Sequence, residues 1–241
     1  MRVARVYVDQ ALSSQNTFTL TDDAAHYLSR VLRIRAGDLC RLFNGRDGEF
    51  EATVISADNS SVVVETGANC ENHSNPVIEI NLGLGLSRGE RMDYAIQKST
   101  ELGVSSITPL FSDRCEVKLK PERLENRINH WRKVAISACE QSGRSEIPSI
   151  KLPRNLSDWI NSERKNFSLM LDQSGDTDLG ELNKQTPVDL TIGPEGGFST
   201  KEIALARASD FSIVRLGSRI LRTETAPVVA LSILQFLWGS L

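Results

Sequence analysis

At 241 residues with 40% hydrophobic side chains, the chain carries enough apolar surface for one large or two modest domains and needs no covalent staples. Cys40, Cys70, Cys115 and Cys139 lie far apart without ligand spacing, and the only histidines are His26, His73 and His130, which argues against a metal site or a disulfide framework. A net charge of -3 rules out bulk electrostatic capture of nucleic acid and leaves only local basic patches.

Such a patch is suggested at the start of the chain. Arg2, Arg5, Arg30, Arg33, Arg35, Arg41 and Arg46 occupy the first fifty positions, and the first lysine is Lys98. Guanidinium forks suit phosphates and base edges, but Asp9, Asp22, Asp23, Asp38, Asp47 and Glu49 nearly balance them, so a plain solubility role competes. No apolar run approaches the eighteen or so residues of a membrane span, and "MRVARVYVDQ" lacks a signal segment, which predicts a soluble, cytoplasmic protein.

In chain order, "ARVYVD", "TFTLT" and the alternation in "EFEATVIS" and "SSVVVET", broken by "NGRDG" and "DNSS", predict the strands and hairpins of a small β-barrel. One helix, "TDDAAHYLSRVLRI", interrupts them with Thr21 as its N-cap. Residues 68–76, "ANCENHSNP", read as a linker, which divides the chain into domains 1–72 and 73–241. Beyond it, strands at "VIEINLGLGL", "SSITPLF", "FSLMLD", "VDLTIG" and "FSIVRLG" alternate with helices. Met92, Ala95, Ile96, Ser99 and Leu102 recur at helical spacing, as do Leu124, Ile128, Trp131, Ala135 and Cys139. Apolar strands alternating with helices imply a mainly parallel sheet covered on both sides, with ligands outside the carboxyl ends of its strands.

Three strand ends hold the chemistry. "GLGLSRG" after the first of these strands is a near miss of a dinucleotide fingerprint, with Asp113 placed as a ribose-binding acid; a tight turn without a ligand competes. In "TIGPEGGFSTKEI", glycines bracket Pro194 and Glu195. Ser199 and Glu202 form a capping box with Phe198 and Ile203 as a hydrophobic staple, so a fixed helix start follows bare peptide groups suited to an adenosine or a carboxylate; a well-made turn without a ligand competes equally. The third, "LGSRILRTETA", leads into the helix "TAPVVALSILQFLW", with Ala226, Ala230, Ile233, Leu234 and Leu237 as its apolar face. Thr223 or Thr225 is its expected cap and Pro227 sits in its first turn. Caps do not account for Arg222 and Glu224; a structural pair between them competes with a pocket shared by the second and third strand ends, which is the better explanation.

"IGPEGGFSTKEI" followed by "LGSRILRTETA" resembles the closing motifs of the SPOUT methyltransferases, specifically the RsmE-type enzymes that methylate N3 of a uridine in small-subunit ribosomal RNA. The resemblance extends over "RVLRIRAGD", "SRGERMDYAIQKSTELGVSSITPLFSDR" and "ACEQSGR", with a departure at Ala226-Pro227, where the family pattern has further threonine or small residues. It implies an α/β trefoil-knotted methyltransferase domain, a rare exception to unknotted chains, preceded by a PUA-like or OB-like barrel for RNA. It further implies a homodimer, S-adenosyl-L-methionine as cofactor, and 16S ribosomal RNA as substrate, modified at uridine 1498.

Carried onto matching positions, the resemblance places Leu171, Ile192, Gly193, Pro194, Gly196, Gly197, Leu216, Gly217, Ile220, Leu221, Arg222, Thr223, Glu224 and Ala226 around the cofactor. Losing the proton of uracil N3 calls for a base or a stabilising positive field. Arg222 is expected to supply the field, and Glu224 or Glu195 to handle the proton or fix Arg222. Arg2, Arg5, Arg30 and Arg33, with Arg88 and Arg91, are the expected RNA contacts, while Tyr7 and Phe43 stack a base or pack in the core. Rival readings are a non-catalytic ribosome-assembly factor that binds RNA, and a nicotinamide-dependent enzyme built on "GLGLSRG".

Overall fold

The structure, a computed structural model, describes residues 3–58, 60–70, 76–163 and 165–239. It divides into two compact units, residues 1–75 with 139–147, and residues 76–138 with 148–241. The expected boundary between residues 72 and 73 lies outside the described residues, and Ala68–Cys70, expected in the linker, instead complete a strand.

In the first unit, β1 (Ala4–Tyr7), β2 (Thr17–Leu20), β3 (Leu39–Phe43), β4 (Glu49–Ala57) and β5 (Val62–Cys70) form one sheet in the order β1-β3-β4-β5-β2. The β3/β4 and β4/β5 pairs are antiparallel hairpins, as the alternation in the sequence predicts, and β1 adds in parallel to β3. Asx turns close both hairpins. Asn44 Oδ1 accepts the Arg46 and Asp47 amides, and Asp58 Oδ1 accepts those of Ser60 and Ser61. These bonds hold the Asp58 carboxyl down at about 2. Inward residues of every second strand position, including Val6, Leu42, Val54 and Val64, pack with Leu28 as the core.

The helix between β2 and β3 is shorter than expected: α1 (Asp22–His26) continues as a π turn over Tyr27–Val31, and Arg33, at φ 54, has left the helical region. Thr21 holds the N-cap position through its carbonyl, which accepts the Ala25 amide, while its hydroxyl donates to Asp22 Oδ2 and caps no helical amide.

The second unit follows the strand-helix rhythm through β6 (Ile80–Gly85), α2 (Glu90–Glu101), β7 (Ser106–Phe111), α3 (Pro121–Ser142, of which residues 139–142 belong to the first unit), β8 (Ser149–Ile150), β9 (Arg154–Asn155), α4 (Leu156–Ile160), β10 (Phe167–Leu171), β11 (Thr177–Asp178), β12 (Val188–Ile192), α5 (Thr200–Ala208), β13 (Ser212–Arg215) and α6 (Thr225–Trp238). The five longer strands occupy the apolar runs read from the sequence; the two-residue strands β8, β9 and β11 are too short to carry a period. All pairs in this sheet are parallel, in the order β11-β13-β10-β12-β6-β7-β8, with β9 also on β7.

All five residues of β12 are buried, as a strand covered on both faces requires. Met92, Ala95, Ile96, Ile128, Trp131 and Ala135 enter the same core as the strands, with Leu102 and Leu124 packed at its edge. Full burial of one such side chain contributes about 1.5–3 kcal/mol.

Two expectations for α6 need correction. Glu224, not Thr223 or Thr225, holds its N-cap position, and no side chain caps it; the Thr225 and Ala226 amides bond the Arg222 carbonyl instead. Leu237, expected on the apolar face, is 44% exposed, whereas Ala230, Leu231, Leu234 and Trp238 are buried.

Candidate functional site

Strand β12 lies between β10 and β6, and β13 lies beyond β10, so the strand order departs from chain order on one side of the sheet. Such reversals open a crevice at the carboxyl ends of the strands. Here the segments leaving β10, β12 and β13 enclose a cavity of about 720 Å³. This lies inside the roughly 300–1,000 Å³ range of small-molecule sites.

Its wall from β12 is Ile192 to Phe198, from β10 Leu171, Asp172 and Gln173, and from β13 Leu216, Arg219, Ile220, Leu221, Arg222, Thr223 and Glu224, closed by Ala226. Arg91 of α2 and Arg114 after β7 complete it. All the residues expected around the cofactor line it, except Gly217. That residue turns the chain just behind Leu216 with φ +69, a conformation that strains any side chain. The three expected catalytic residues, Arg222, Glu224 and Glu195, share the same cavity.

The loop after β12 is fixed at both ends. Gly85, in the last position of β6, packs so closely under it that a Cβ there would meet the Gly193 carbonyl carbon at 2.6 Å. That contact explains Gly85, one of the three glycines of "GLGLSRG", by backbone packing, which weakens the dinucleotide reading. At the exit, the Ser199 hydroxyl accepts the Glu202 amide at 3.2 Å and Glu202 Oε2 accepts the Ser199 amide at 2.7 Å, the expected capping box. Phe198 and Ile203 pack in one cluster, as the staple requires.

Residues after β7 reinforce it. Glu202 Oε1 accepts the Asp113 amide at 2.7 Å, the Ser199 hydroxyl donates to Asp113 Oδ2 at 2.6 Å, and Arg114 Nη1 donates to the Gly196 carbonyl at 3.0 Å. Asp113, expected as a ribose ligand in the dinucleotide reading, thus serves the loop.

The opposite wall is looser. Ile220 is 87% exposed, and Arg219 and Arg222 are also exposed. The Arg219 carbonyl accepts Gln173 Nε2 at 3.0 Å, and Thr223 is buried. The segment 172–186, polar and glycine-bearing so that its sequence leaves its conformation open, is tied down by Arg207 to Asp176 at 2.6 Å and Arg215 to Asp178 at 2.7 Å, with β11 pairing to β13.

Of the expected RNA contacts, Arg91 donates to Glu195 Oε1 at 3.1 Å on the cavity wall, and exposed Arg88 pairs with Glu116 at 2.9 Å. Arg30 and Arg33 are exposed in the first unit, and Arg2 lies outside the described residues. Arg5 corrects the expectation. Its side chain is 8% exposed, pairs with Glu49 at 2.7 Å, donates to the carbonyls of Cys139 and Arg144, and lies over the Phe43 ring at 4.7 Å. A guanidinium satisfied in this way is a structural tie. Phe43 is fully buried and packs rather than stacking a base, and half-buried Tyr7 meets it edge-on at 6.0 Å.

Arg114 escaped the sequence reading, and Phe198 was expected only as a staple; Asp172 and Gln173 belong to the loop 172–186 that the sequence marks as able to close over the pocket, and Arg219 to the RILRTET segment, without being singled out as site residues. Arg114 is brought in by pairing of distant strands. Burial pushes the Cys139 and Cys40 thiols up to about 11. Among the described residues there is no His, Cys, Asp and Glu group arranged for a metal, and no helix long and apolar enough to cross a membrane.

The family model described as an RNA methyltransferase domain matches residues 73–235, and one described as an RNA methyltransferase PUA domain matches residues 20–66. The ribosomal RNA small subunit methyltransferase E of Buchnera aphidicola (subspecies Acyrthosiphon pisum) is 35% identical over 99% of this chain and 95% of its own length. A Legionella pneumophila protein solved with bound SAM superposes with TM-score 0.94 at 36% identity, over all of both chains. The ribosomal RNA small subunit methyltransferase E of Neisseria gonorrhoeae, solved bound to S-adenosyl methionine, gives 0.93 at 32% identity over 99% of both chains.

Proposed function

The chain belongs to the RNA methyltransferase domain family, among relatives named ribosomal RNA small subunit methyltransferase E, and from that premise we propose how its cavity works. The chain is an S-adenosylmethionine-dependent methyltransferase of small-subunit ribosomal RNA. Its finer target is N3 of a uridine in 16S RNA, at position 1498. The observation that carries this reading is the convergence of Gly193–Gly197 and Leu216–Glu224 on one cavity of about 720 Å³.

The residues fit the cofactor. With no side chains at Gly193, Gly196 and Gly197 the backbone there leaves room for an adenosine, and Leu171, Ile192, Leu216 and Leu221 offer apolar walls. The cofactor supplies an electrophilic methyl on a sulfonium. The chain's own part is to hold the acceptor nitrogen in line with that methyl, which removes much of the entropic barrier.

Arg222, exposed on the cavity wall, stabilises the negative charge that develops as uracil N3 loses its proton. Glu224 takes that proton, because Glu195 is already engaged by Arg91 and keeps that guanidinium at the cavity wall for an RNA phosphate. Arg30 and Arg33 give the first unit its RNA face. The C-terminal segment threads as a trefoil knot, and two copies pair through exposed apolar residues of α2 and α6, including Tyr94 and Phe236.

Incubation with labelled methyl donor and unmodified small subunits, followed by mapping of the modified base, tests the reading. Label at N3 of one uridine is the expected result; binding of subunits without transfer would instead make the chain an assembly factor. Glu224→Gln is expected to lower turnover by about 10²–10⁴-fold with subunit affinity intact.

A further inference from the structure

Gln173 is exposed on the cavity wall, and its side-chain amide donates through Nε2 to the Arg219 carbonyl at 3.0 Å. The two residues follow neighbouring strands, β10 and β13, so the bond ties together two of the three segments that enclose the cavity.

The two sides of this tie differ in firmness. On the Gln173 side the chain makes a tight turn: Asp172 Oδ1 accepts the Ser174 amide at 2.9 Å and its hydroxyl at 2.7 Å, and the Gly175 amide donates to the Asp172 carbonyl at 3.1 Å. Buried Gly175 lies directly on β13, where a Cβ would meet the Val214 carbonyl carbon at 2.6 Å. Arg207 holds the turn from outside, through Asp176 at 2.6 Å and the Ser174 carbonyl at 3.3 Å.

On the Arg219 side, Ser218, Arg219 and Ile220 are exposed. Among the described residues, the bond from Gln173 is the one hydrogen bond made by residues 218–221. The ends of the span are fixed by the Gly217 amide on Asp178 and by the Thr225 and Ala226 amides on the Arg222 carbonyl. Gln173 therefore grips the middle of a span whose ends are already held. A donor on an exposed carbonyl replaces a water there, so the bond adds little to folding stability. What it fixes is direction: the path of the chain from Arg219 to Arg222 decides where the Arg222 guanidinium leaves the backbone. Misplacing a reacting group by about 1 Å is enough to slow a reaction severely.

We propose that Gln173 is a positioning residue for methyl transfer: its bond to the Arg219 carbonyl sets the course of residues 217–222 and so aims Arg222 at the reacting base. The proposal rests on the reading of this cavity as the methylation site with Arg222 as its charge-stabilising group.

The test measures single-turnover methyl transfer to unmodified small subunits at saturating cofactor, using the full-length protein with Gln173→Ala or Gln173→Met. The second variant keeps the length of the side chain without a donor. Both are expected to slow transfer by about tenfold, the upper range for one hydrogen bond, with cofactor affinity by calorimetry within about threefold and the melting temperature unchanged. The Arg222→Ala background separates aiming from a general loosening. There Gln173→Ala is expected to slow transfer by less than about twofold further, because the group it aims is gone.

Unchanged rates in both variants overturn the proposal, as does an undiminished loss in the Arg222→Ala background. If the unaltered protein transfers no methyl, the proposed reaction fails by itself. The positioning role is then decided by hydrogen exchange of amides 218–221 with cofactor bound: faster exchange in both Gln173 variants supports it, and unchanged exchange overturns it.

Discussion

The two walls of the larger cavity are built on opposite principles. The wall after β12 is held by the reciprocal capping bonds of Ser199 and Glu202, by the Asp113 amide and carboxylate, and by Arg114 on the Gly196 carbonyl. The wall after β13 exposes Ile220 at 87%, and its segment 217–221 is anchored by Gln173 on the Arg219 carbonyl. A rigid wall holds a ligand's recognition groups where they are needed; a pliant one closes over it afterwards. On the proposed reading, binding is expected to order the segment that carries Arg222, which would tie catalytic geometry to cofactor occupancy.

This contrast is open to direct attack. The largest effect is expected from Arg222→Ala on the pliant wall: turnover falls by about 10²–10³-fold, as when one charge-stabilising donor is lost, while calorimetry shows cofactor affinity nearly unchanged. A comparable loss of affinity would make Arg222 a binding group. Next comes Glu202→Ala on the rigid wall, which keeps the Ser199 cap but removes the reciprocal carboxylate and so orphans the Ser199 and Asp113 amides. Thermal melts are expected to report a loss of about 2–3 kcal/mol, with cofactor affinity falling in parallel.

Gly197→Ala follows. Its φ of +65 is costly to a side chain though no atom blocks a Cβ there, so the expected loss is about 1–2 kcal/mol without a change in turnover at saturating cofactor. The smallest is Ile220→Ser, expected to change stability by less than about 0.5 kcal/mol and to weaken cofactor binding only when the segment closes. Hydrogen exchange sharpens the comparison without mutation. The Ser199 and Glu202 amides are expected to be protected with or without cofactor, whereas amides 217–221 gain protection only with it.

Much of this arrangement was legible from local chemistry. The capping box at Ser199 and Glu202, the Phe198 and Ile203 staple and the five longer parallel strands each declare themselves within a few residues, because caps and periodicities are short-range. The lining of the cavity by Arg222, Glu224 and Glu195 also followed, from the leftover polar groups and the family resemblance.

What escaped was non-local. Nothing around Arg5 marks it as the arginine whose guanidinium is spent on carbonyls 134 to 139 positions away, while Arg30 and Arg33 stay in solvent. Arg114 and Asp113 serve a loop whose sequence lies some eighty residues on, brought near by the order of strands in the sheet. The N-cap of α6 misled for a different reason. Two threonines flank the helix start, but the Arg222 carbonyl takes the amides of Thr225 and Ala226 itself, so neither hydroxyl is recruited.

Gly85 does not line the cavity, yet its missing side chain is what lets the Gly193–Pro194 backbone lie where it does. Reshaping the enzyme for bulkier sulfonium donors therefore has a handle outside the cavity wall: a single methyl added at position 85 must shift the Gly193–Pro194 backbone or the end of β6. The spacing between that wall and the Arg222 segment is thereby adjustable from beneath, with every group that faces the donor left chemically intact.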